Sequence, residues 1–76
     1  MSKNAYKRLR ELLFTARREA GLTQVELSLR LKRPQSFVSK FERGERRLDV
    51  VEFGEVARAL GIDPVRILSK FYGEIS

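Results

Sequence analysis

Five polar residues fall on one side of a short predicted helix that runs from Pro34 to Gly44: Gln35, Ser36, Ser39, Lys40 and Arg43. Val38 and Phe41, three residues apart, face the other way together with Pro34. The amide of Gln35 can pair with N6 and N7 of adenine, and the amine of Lys40 suits O6 and N7 of guanine. The pattern therefore predicts a helix that contacts base edges in the major groove of double-stranded DNA.

Several neighbouring residues suit contacts with the phosphate backbone, which position a protein on DNA without specifying sequence. Three arginines, Arg43, Arg46 and Arg47, lie within five residues at the end of this helix. Thr23 and Gln24 stand at the start of the preceding helix, whose free N–H groups and dipole favour an anion. Ser39 is expected to assist at the bases or to face a phosphate.

The preceding helix is predicted over residues 24–31, so that residues 24–43 form two short helices joined by a tight turn. Thr23 and Glu26 are spaced as a capping box, and Leu27 and Leu31 fall on one face. Ser28 is small enough to let two helices approach closely. Pro34 breaks the chain after Lys32 and Arg33 and suits the first turn of the next helix.

Three further helices are predicted to support this pair. The first covers about residues 5–20, the fourth is capped by Asp49 and Glu52, and the fifth starts at Asp63 and Pro64 and covers about residues 64–75. The fourth is expected to bury five apolar residues: Val50, Phe53, Val56, Ala57 and Leu60. We therefore expect one compact, all-α, five-helix domain over residues 1–76.

The segments Leu22-Thr-Gln-x-Glu-Leu27 and Gln35-Ser-x-Val-Ser-Lys-Phe-Glu-Arg-Gly44, with Ala-Leu-Gly61 later, resemble the Cro and phage-repressor type of helix-turn-helix domain, the XRE family. The resemblance covers about residues 6–68 and implies a lambda-repressor-like fold and a small transcriptional regulator. It also implies base contacts from Ser36 and Lys40, and an ion pair between Arg17 and Glu42 that ties the first helix to the recognition helix.

The sequence departs from the usual pattern of that family at two positions. Lys32 stands where the family usually has a glycine, because the residue in this turn tends to adopt positive φ. Leu48 occupies a place where the family commonly has a proline. The geometry of the turn and the path of residues 45–48 are therefore the features that the resemblance predicts least well.

The charge of the chain is concentrated in the half that contains the motif. Residues 1–47 hold 13 basic and 5 acidic residues, whereas residues 48–76 hold 3 basic and 5 acidic ones. A polyanion should therefore approach the first half. The chain contains no Cys and no His, so we expect no metal site, no cofactor and no enzymatic activity. Without a signal peptide or a long apolar run, it is expected in the cytoplasm, with no membrane partner.

The predicted fifth helix carries more apolar residues than one narrow buried stripe requires. We expect part of this surface to form a homodimer, with Phe71 and Ile75 at the contact and Leu68 next to them. The alternative is that Phe71 and Tyr72 fold back over the first helix. An antitoxin or another protein-interaction module on the same fold remains the alternative function, whereas RNA binding is disfavoured because no series of exposed aromatic residues is visible.

Overall fold

The computed structural model describes residues 3–75, and the side chains of residues 5–74, as five helices without a strand in that part of the chain. The helices are α1 (Lys3–Glu19), α2 (Gln24–Leu31), α3 (Gln35–Arg43), α4 (Val50–Ala59) and α5 (Pro64–Ile75). The predicted all-α helix-turn-helix fold is confirmed. The bounds of α2 match the prediction, and those of α1 differ by one or two residues.

Local sequence signals explain where α2 and α3 begin and end. The hydroxyl of Thr23 accepts the N–H of Glu26, and the carboxylate of Glu26 accepts the N–H of Thr23, which completes the predicted capping box. Lys32 ends α2 with a left-handed φ of 58°, and Gly44 ends α3 in the same way with a φ of 82°. The turn therefore keeps the geometry that a glycine would favour, although a lysine occupies it.

Two predicted inward-facing residues are exposed in the structure. Pro34 is the N-cap of α3 rather than a residue of its first turn, and it faces solvent instead of joining Val38 and Phe41. Val50 is 80% exposed at the first position of α4, where its side chain lies beyond the packed face of that helix. Both errors fall at helix starts, where periodicity alone does not fix direction.

The core is formed where α3 packs against α1 and α2, and where α4 and α5 close the other side. Its largest fully buried side chains are Leu27, Val38, Phe41 and Val56, one or two from each central helix. Ser28 is buried as predicted for a packing residue, and its hydroxyl donates to the carbonyl of Val25 at 2.7 Å. This core fixes the position of α3 against α1 and α2.

The prediction that Phe71 is available to a partner subunit was wrong. Phe71 is only 4% exposed and belongs to the same buried cluster as the core, on a helix that packs against α1 and α4. Leu68 is half-buried against that cluster, while Tyr72 is 55% exposed and so does not share the buried position of Phe71. The predicted contact at Ile75 concerns a side chain outside the described residues.

Candidate nucleic-acid interface

The outward surface of α3 carries the polar side chains that the sequence predicted there. Gln35, Ser36 and Lys40 are exposed, and Ser39 is half-buried with its hydroxyl donating to the carbonyl of Ser36 at 3.3 Å. Arg43 is exposed at the end of the helix and pairs with the carboxylate of Glu45. The face opposite to this row is buried in the core, so α3 presents one continuous polar side to solvent.

The structure brings Arg17 and Glu42 together in an ion pair between α1 and the end of α3. The Nε of Arg17 donates to Oε2 of Glu42 at 2.8 Å, and its Nη2 donates to Oε1 at 3.1 Å. Arg17 also donates to the carbonyl of Leu22 at 2.7 Å. The two side chains are only 12% and 8% exposed. Such a desolvated, bidentate pair fixes the orientation of α3 more than it adds net stability.

Gln24 extends this ion pair to the start of the recognition helix. Its amide nitrogen donates to Oε1 of Glu42 at 2.8 Å, and its amide oxygen accepts from Gln35 at 3.5 Å. We call Arg17, Glu42, Gln24 and Gln35 the Glu42 cluster. Sequence reasoning assigned Gln24 only to a phosphate contact and missed its bond to Glu42, because the two residues lie 18 positions apart.

Thr23 is also occupied within its own capping box. Its backbone N–H is held by Glu26, and this bond lowers the pKa of the Glu26 carboxyl from its ordinary value. Two of the four N–H groups that open α2 remain for an external anion, those of Gln24 and Val25, because the capping box already uses the N–H groups of Thr23 and Glu26. These two groups, rather than the N–H of Thr23, are the ones that can bind a phosphate.

A second cluster of charges holds the segment that follows α3. Arg46 forms a bidentate ion pair with Glu52, with Nη1 3.0 Å from Oε1 and Nη2 2.5 Å from Oε2. Glu52 also accepts the N–H of Asp49 at 3.0 Å, and Arg33 lies 3.8 Å from the same carboxylate. We call Arg33, Arg46, Asp49 and Glu52 the Glu52 cluster. The hydrogen bond from Arg46, and next the one from Asp49, lower the pKa of Glu52 to about 2.

The aromatic ring of Phe37 contacts both arginines of the Glu52 cluster. The guanidinium of Arg33 is 4.5 Å from the ring centroid and that of Arg46 is 4.7 Å from it. Phe37 is buried and makes an edge-on contact with Phe41 at 5.6 Å. Phe37 therefore packs at the flank of α3. The sequence indicates Arg33 only as part of the helix break, and its role in this cluster depends on contacts that the sequence does not reveal.

Arg47 has a different environment from Arg46, although the two are adjacent in sequence. Its guanidinium lies 3.9 Å from the centroid of the Tyr6 ring, and no carboxylate in residues 5–74 pairs with it. Of the three arginines predicted to contact the DNA backbone, Arg43 and Arg46 thus have carboxylate partners and Arg47 has an aromatic one. Within the described range, no helix is long and apolar enough to span a membrane, and no cluster of potential metal ligands occurs.

Comparisons with known proteins define the class to which this fold and surface belong. A helix-turn-helix family profile matches residues 13–67 of the chain. The structure of an XRE-family like protein from Pseudomonas syringae pv. tomato is 52% identical, covers 96% of this chain and 89% of its own, and has a TM-score of 0.92. The chain therefore belongs to the XRE type of the helix-turn-helix family, and it is a DNA-binding transcriptional regulator.

Two further relatives indicate the range of proteins that share this domain. An uncharacterized HTH-type transcriptional regulator, y4dJ of Sinorhizobium fredii, is 42% identical over 53 residues, which are 70% of this chain and 69% of the relative. The restriction-modification controller protein C.AhdI from Aeromonas hydrophila is 29% identical, with a TM-score of 0.75 over 87% of this chain and 98% of its own. Both are regulators by their names.

Proposed function

We propose that α3 inserts into the major groove of an operator and that Gln35, Ser36 and Lys40 contact its base edges. The observation that carries this proposal is the Glu42 cluster, because a chain of bonds from α1 holds the amide of Gln35 at the exposed start of α3. A side chain that is oriented before binding loses less entropy when it pairs with a base. We also propose that the protein acts in the cytoplasm, where it would meet such an operator.

We assign contacts with the phosphate backbone to residues at both ends of this surface. Thr23 and Gln24 lie at the start of α2 next to the two free N–H groups, and Ser39 lies half-buried on α3. Arg43, Arg46 and Arg47 follow at the other end. The guanidinium of Arg46 is already paired with Glu52, so a phosphate must compete with this carboxylate for its hydrogen bonds. The guanidinium of Arg47 contacts only the Tyr6 ring and has no carboxylate competing for it within residues 5–74. We therefore expect Arg47 to contribute more than Arg46.

The test compares an operator selected from a random duplex library with random duplex DNA of equal length. Gln35→Ala or Lys40→Ala should weaken binding to the operator by on the order of 1–3 kcal/mol and change binding to random DNA little. Arg47→Ala should weaken both alike and reduce the salt slope by about 0.9. Arg66→Ala, an exposed arginine on α5, is the control. Equal losses on both DNAs for Gln35→Ala would place the recognition surface elsewhere.

We also propose that the DNA-bound form is a homodimer that pairs the outer face of α5. Val65 is 65% exposed and Tyr72 is 55% exposed, and a spacing of seven residues puts them on one face. Leu68, half-buried, and position 75 continue this face at the spacing of a two-helix contact. This arrangement keeps the predicted role of Leu68 and Ile75 and replaces Phe71 by Tyr72, because Phe71 is buried in the core.

The dimer is tested by Tyr72→Glu, which places a charge in the proposed contact and removes from the core only the edge-on contact of the Tyr72 ring with Phe71. The variant should sediment as a monomer at tens of micromolar while its helical circular dichroism stays unchanged, and it should lose operator affinity. Lys70→Glu, on the same helix but outside the Val65 and Tyr72 face, should leave the association unchanged. A native protein that remains monomeric and binds a single half-site would disprove the dimer.

A further inference from the structure

A cavity of about 370 Å³ lies between α1 and the segment that follows α3. Tyr6, Lys7, Leu9, Arg10 and Leu13 form the α1 wall. The other wall consists of Phe41, at the end of α3, and the residues that follow it, Gly44, Arg46, Arg47 and Leu48. A volume of this size falls in the range of pockets that hold small organic molecules, roughly 300–1,000 Å³.

The walls of this cavity are basic, and no acidic side chain lines it. Arg46 is paired with Glu52, but Lys7, Arg10 and Arg47 have no carboxylate partner within residues 5–74. Other arginines of the chain do have such partners: Arg8, Arg17, Arg33, Arg43 and Arg46. Three unpaired cations on one concave surface raise the local potential and favour an anion.

The floor of the cavity is apolar, which distinguishes it from a simple phosphate contact. Leu9, Leu13, Phe41 and Leu48 supply this floor. Arg10 lies directly over Gly44, so that a Cβ at Gly44 would be 2.7 Å from its Cζ. The guanidinium can occupy this place because the residue that ends α3 has no side chain. The head of a ligand would therefore meet Arg10 at the end of the recognition helix.

We propose that this cavity binds a small amphipathic organic anion, with its carboxylate or phosphate group near Arg10 and its aromatic or aliphatic body on the apolar floor. Binding also opposes DNA binding, because the ligand neutralises charges beside the backbone-contacting residues Arg46 and Arg47. This second step rests on the proposed function, whereas binding of the ligand itself does not.

Phenyl phosphate is a suitable probe because it combines a dianionic head with an apolar ring. It is titrated into the free protein at constant ionic strength while the backbone amide resonances are followed, with inorganic phosphate and benzyl alcohol as separate probes of charge and of apolar contact. We expect saturable shifts at Tyr6, Gly44 and Arg47 with phenyl phosphate, and at least about tenfold weaker binding of either partial probe.

Variants then locate the site. Arg10→Gln should weaken phenyl phosphate binding about tenfold, because it removes a charged hydrogen-bond donor. Lys7→Gln, at an exposed position that cannot disturb the core, should weaken it to a smaller extent, and Arg66→Gln should have no effect. Absent or unsaturable shifts would overturn the proposed ligand site. Equal affinity for inorganic phosphate would overturn the amphipathic ligand and indicate a site for a phosphate alone.

The effect on DNA is measured separately, by titrating the operator with and without saturating phenyl phosphate. We expect operator affinity to fall several-fold in the native protein, and to fall less in Arg10→Gln at a phenyl phosphate concentration that just saturates the native protein. Unchanged operator affinity in the presence of bound phenyl phosphate would overturn the opposition between ligand and DNA. A protein that binds the probe but no duplex DNA would instead overturn the proposed function and leave the ligand site supported.

Discussion

The two charged clusters beside α3 use the same pair of residue types in different surroundings. In the Glu42 cluster, the side chains of Arg17 and Glu42 are 12% and 8% exposed, and they join α1 to α3. In the Glu52 cluster, Arg46 is 38% exposed and Glu52 is 11% exposed, and they join the loop to α4. The first pair is closed to solvent on both sides, whereas the second keeps its arginine at the surface.

This difference separates two tasks of a DNA-binding surface. A pair that is shielded from solvent cannot exchange its partner, so the Glu42 cluster is suited to hold α3 and the amide of Gln35 in one orientation. An arginine at the surface can divide its hydrogen bonds between a carboxylate and a phosphate. The Glu52 cluster is therefore suited to adjust the loop when DNA binds.

The largest effect is expected from Glu42→Ala, because it leaves the buried guanidinium of Arg17 without its partner. The free energy of unfolding should fall by about 3–5 kcal/mol, as is typical when one member of a buried pair is removed. Chemical denaturation at neutral pH measures this change. Glu45→Ala, which breaks the exposed pair with Arg43 nearby, is the matched control and should cost about 0–1 kcal/mol. Similar losses of unfolding free energy in both variants would contradict the claim that burial makes the Glu42 pair more important than the exposed Glu45 pair.

The Glu52 cluster should make the free energy of unfolding depend on pH in the acidic range. Because the pKa of Glu52 is lowered from 4.5 to about 2, its contribution is fully present above about 4.5 and is lost as the pH falls towards 2. Glu52→Gln should therefore lower the free energy of unfolding by on the order of 1–2 kcal/mol at neutral pH, after allowance for the exposure of Arg46. The difference should vanish as the pH falls below about 2. Glu55→Gln, which breaks only the exposed pair of Glu55 with Arg33, is the control for loss of a surface carboxylate. A difference that does not depend on pH would contradict the assignment to Glu52.

Gln24→Ala distinguishes two roles for Gln24, which are to orient the amide of Gln35 and to contact a phosphate directly. If Gln24 acts through Gln35, discrimination between operator and random DNA should fall by about 1 kcal/mol, and the double variant with Gln35→Ala should lose no more than Gln35→Ala alone. Stability should change little, since Arg17 keeps both its bonds to Glu42. Equal losses on both DNAs would show instead that Gln24 contacts the backbone.

The smallest effect is expected at the turn that connects the two clusters. Lys32 has a φ of 58° and precedes Arg33, a member of the Glu52 cluster. Lys32→Gly should raise the free energy of unfolding by about 0.5 kcal/mol, because relief of the left-handed conformation outweighs the added freedom of the unfolded chain. Lys32→Ala is the control, because alanine also adopts the left-handed conformation at an energetic cost. A loss of stability in Lys32→Gly would mean that the lysine side chain itself supports the turn.

The sequence by itself determined the features that depend on neighbouring residues. Capping boxes at Thr23 and Asp49, the glycine at position 44 and the proline at position 64 are local signals, since each satisfies or removes backbone groups within one turn of helix. They were sufficient to predict five helices, the helix-turn-helix and the polar row on α3. The family resemblance added the pair of Arg17 and Glu42.

Only the tertiary structure decided which apolar and charged side chains meet across the chain. Periodicity placed Phe71 on an apolar face of α5, but whether α1 or a partner subunit covers that face depends on how the helices pack. The same holds for Gln24 with Glu42 and for Arg46 with Glu52, whose long flexible side chains can reach several partners from one backbone position. Such choices are set by burial and by competition among distant groups, and these depend on the folded arrangement of all five helices.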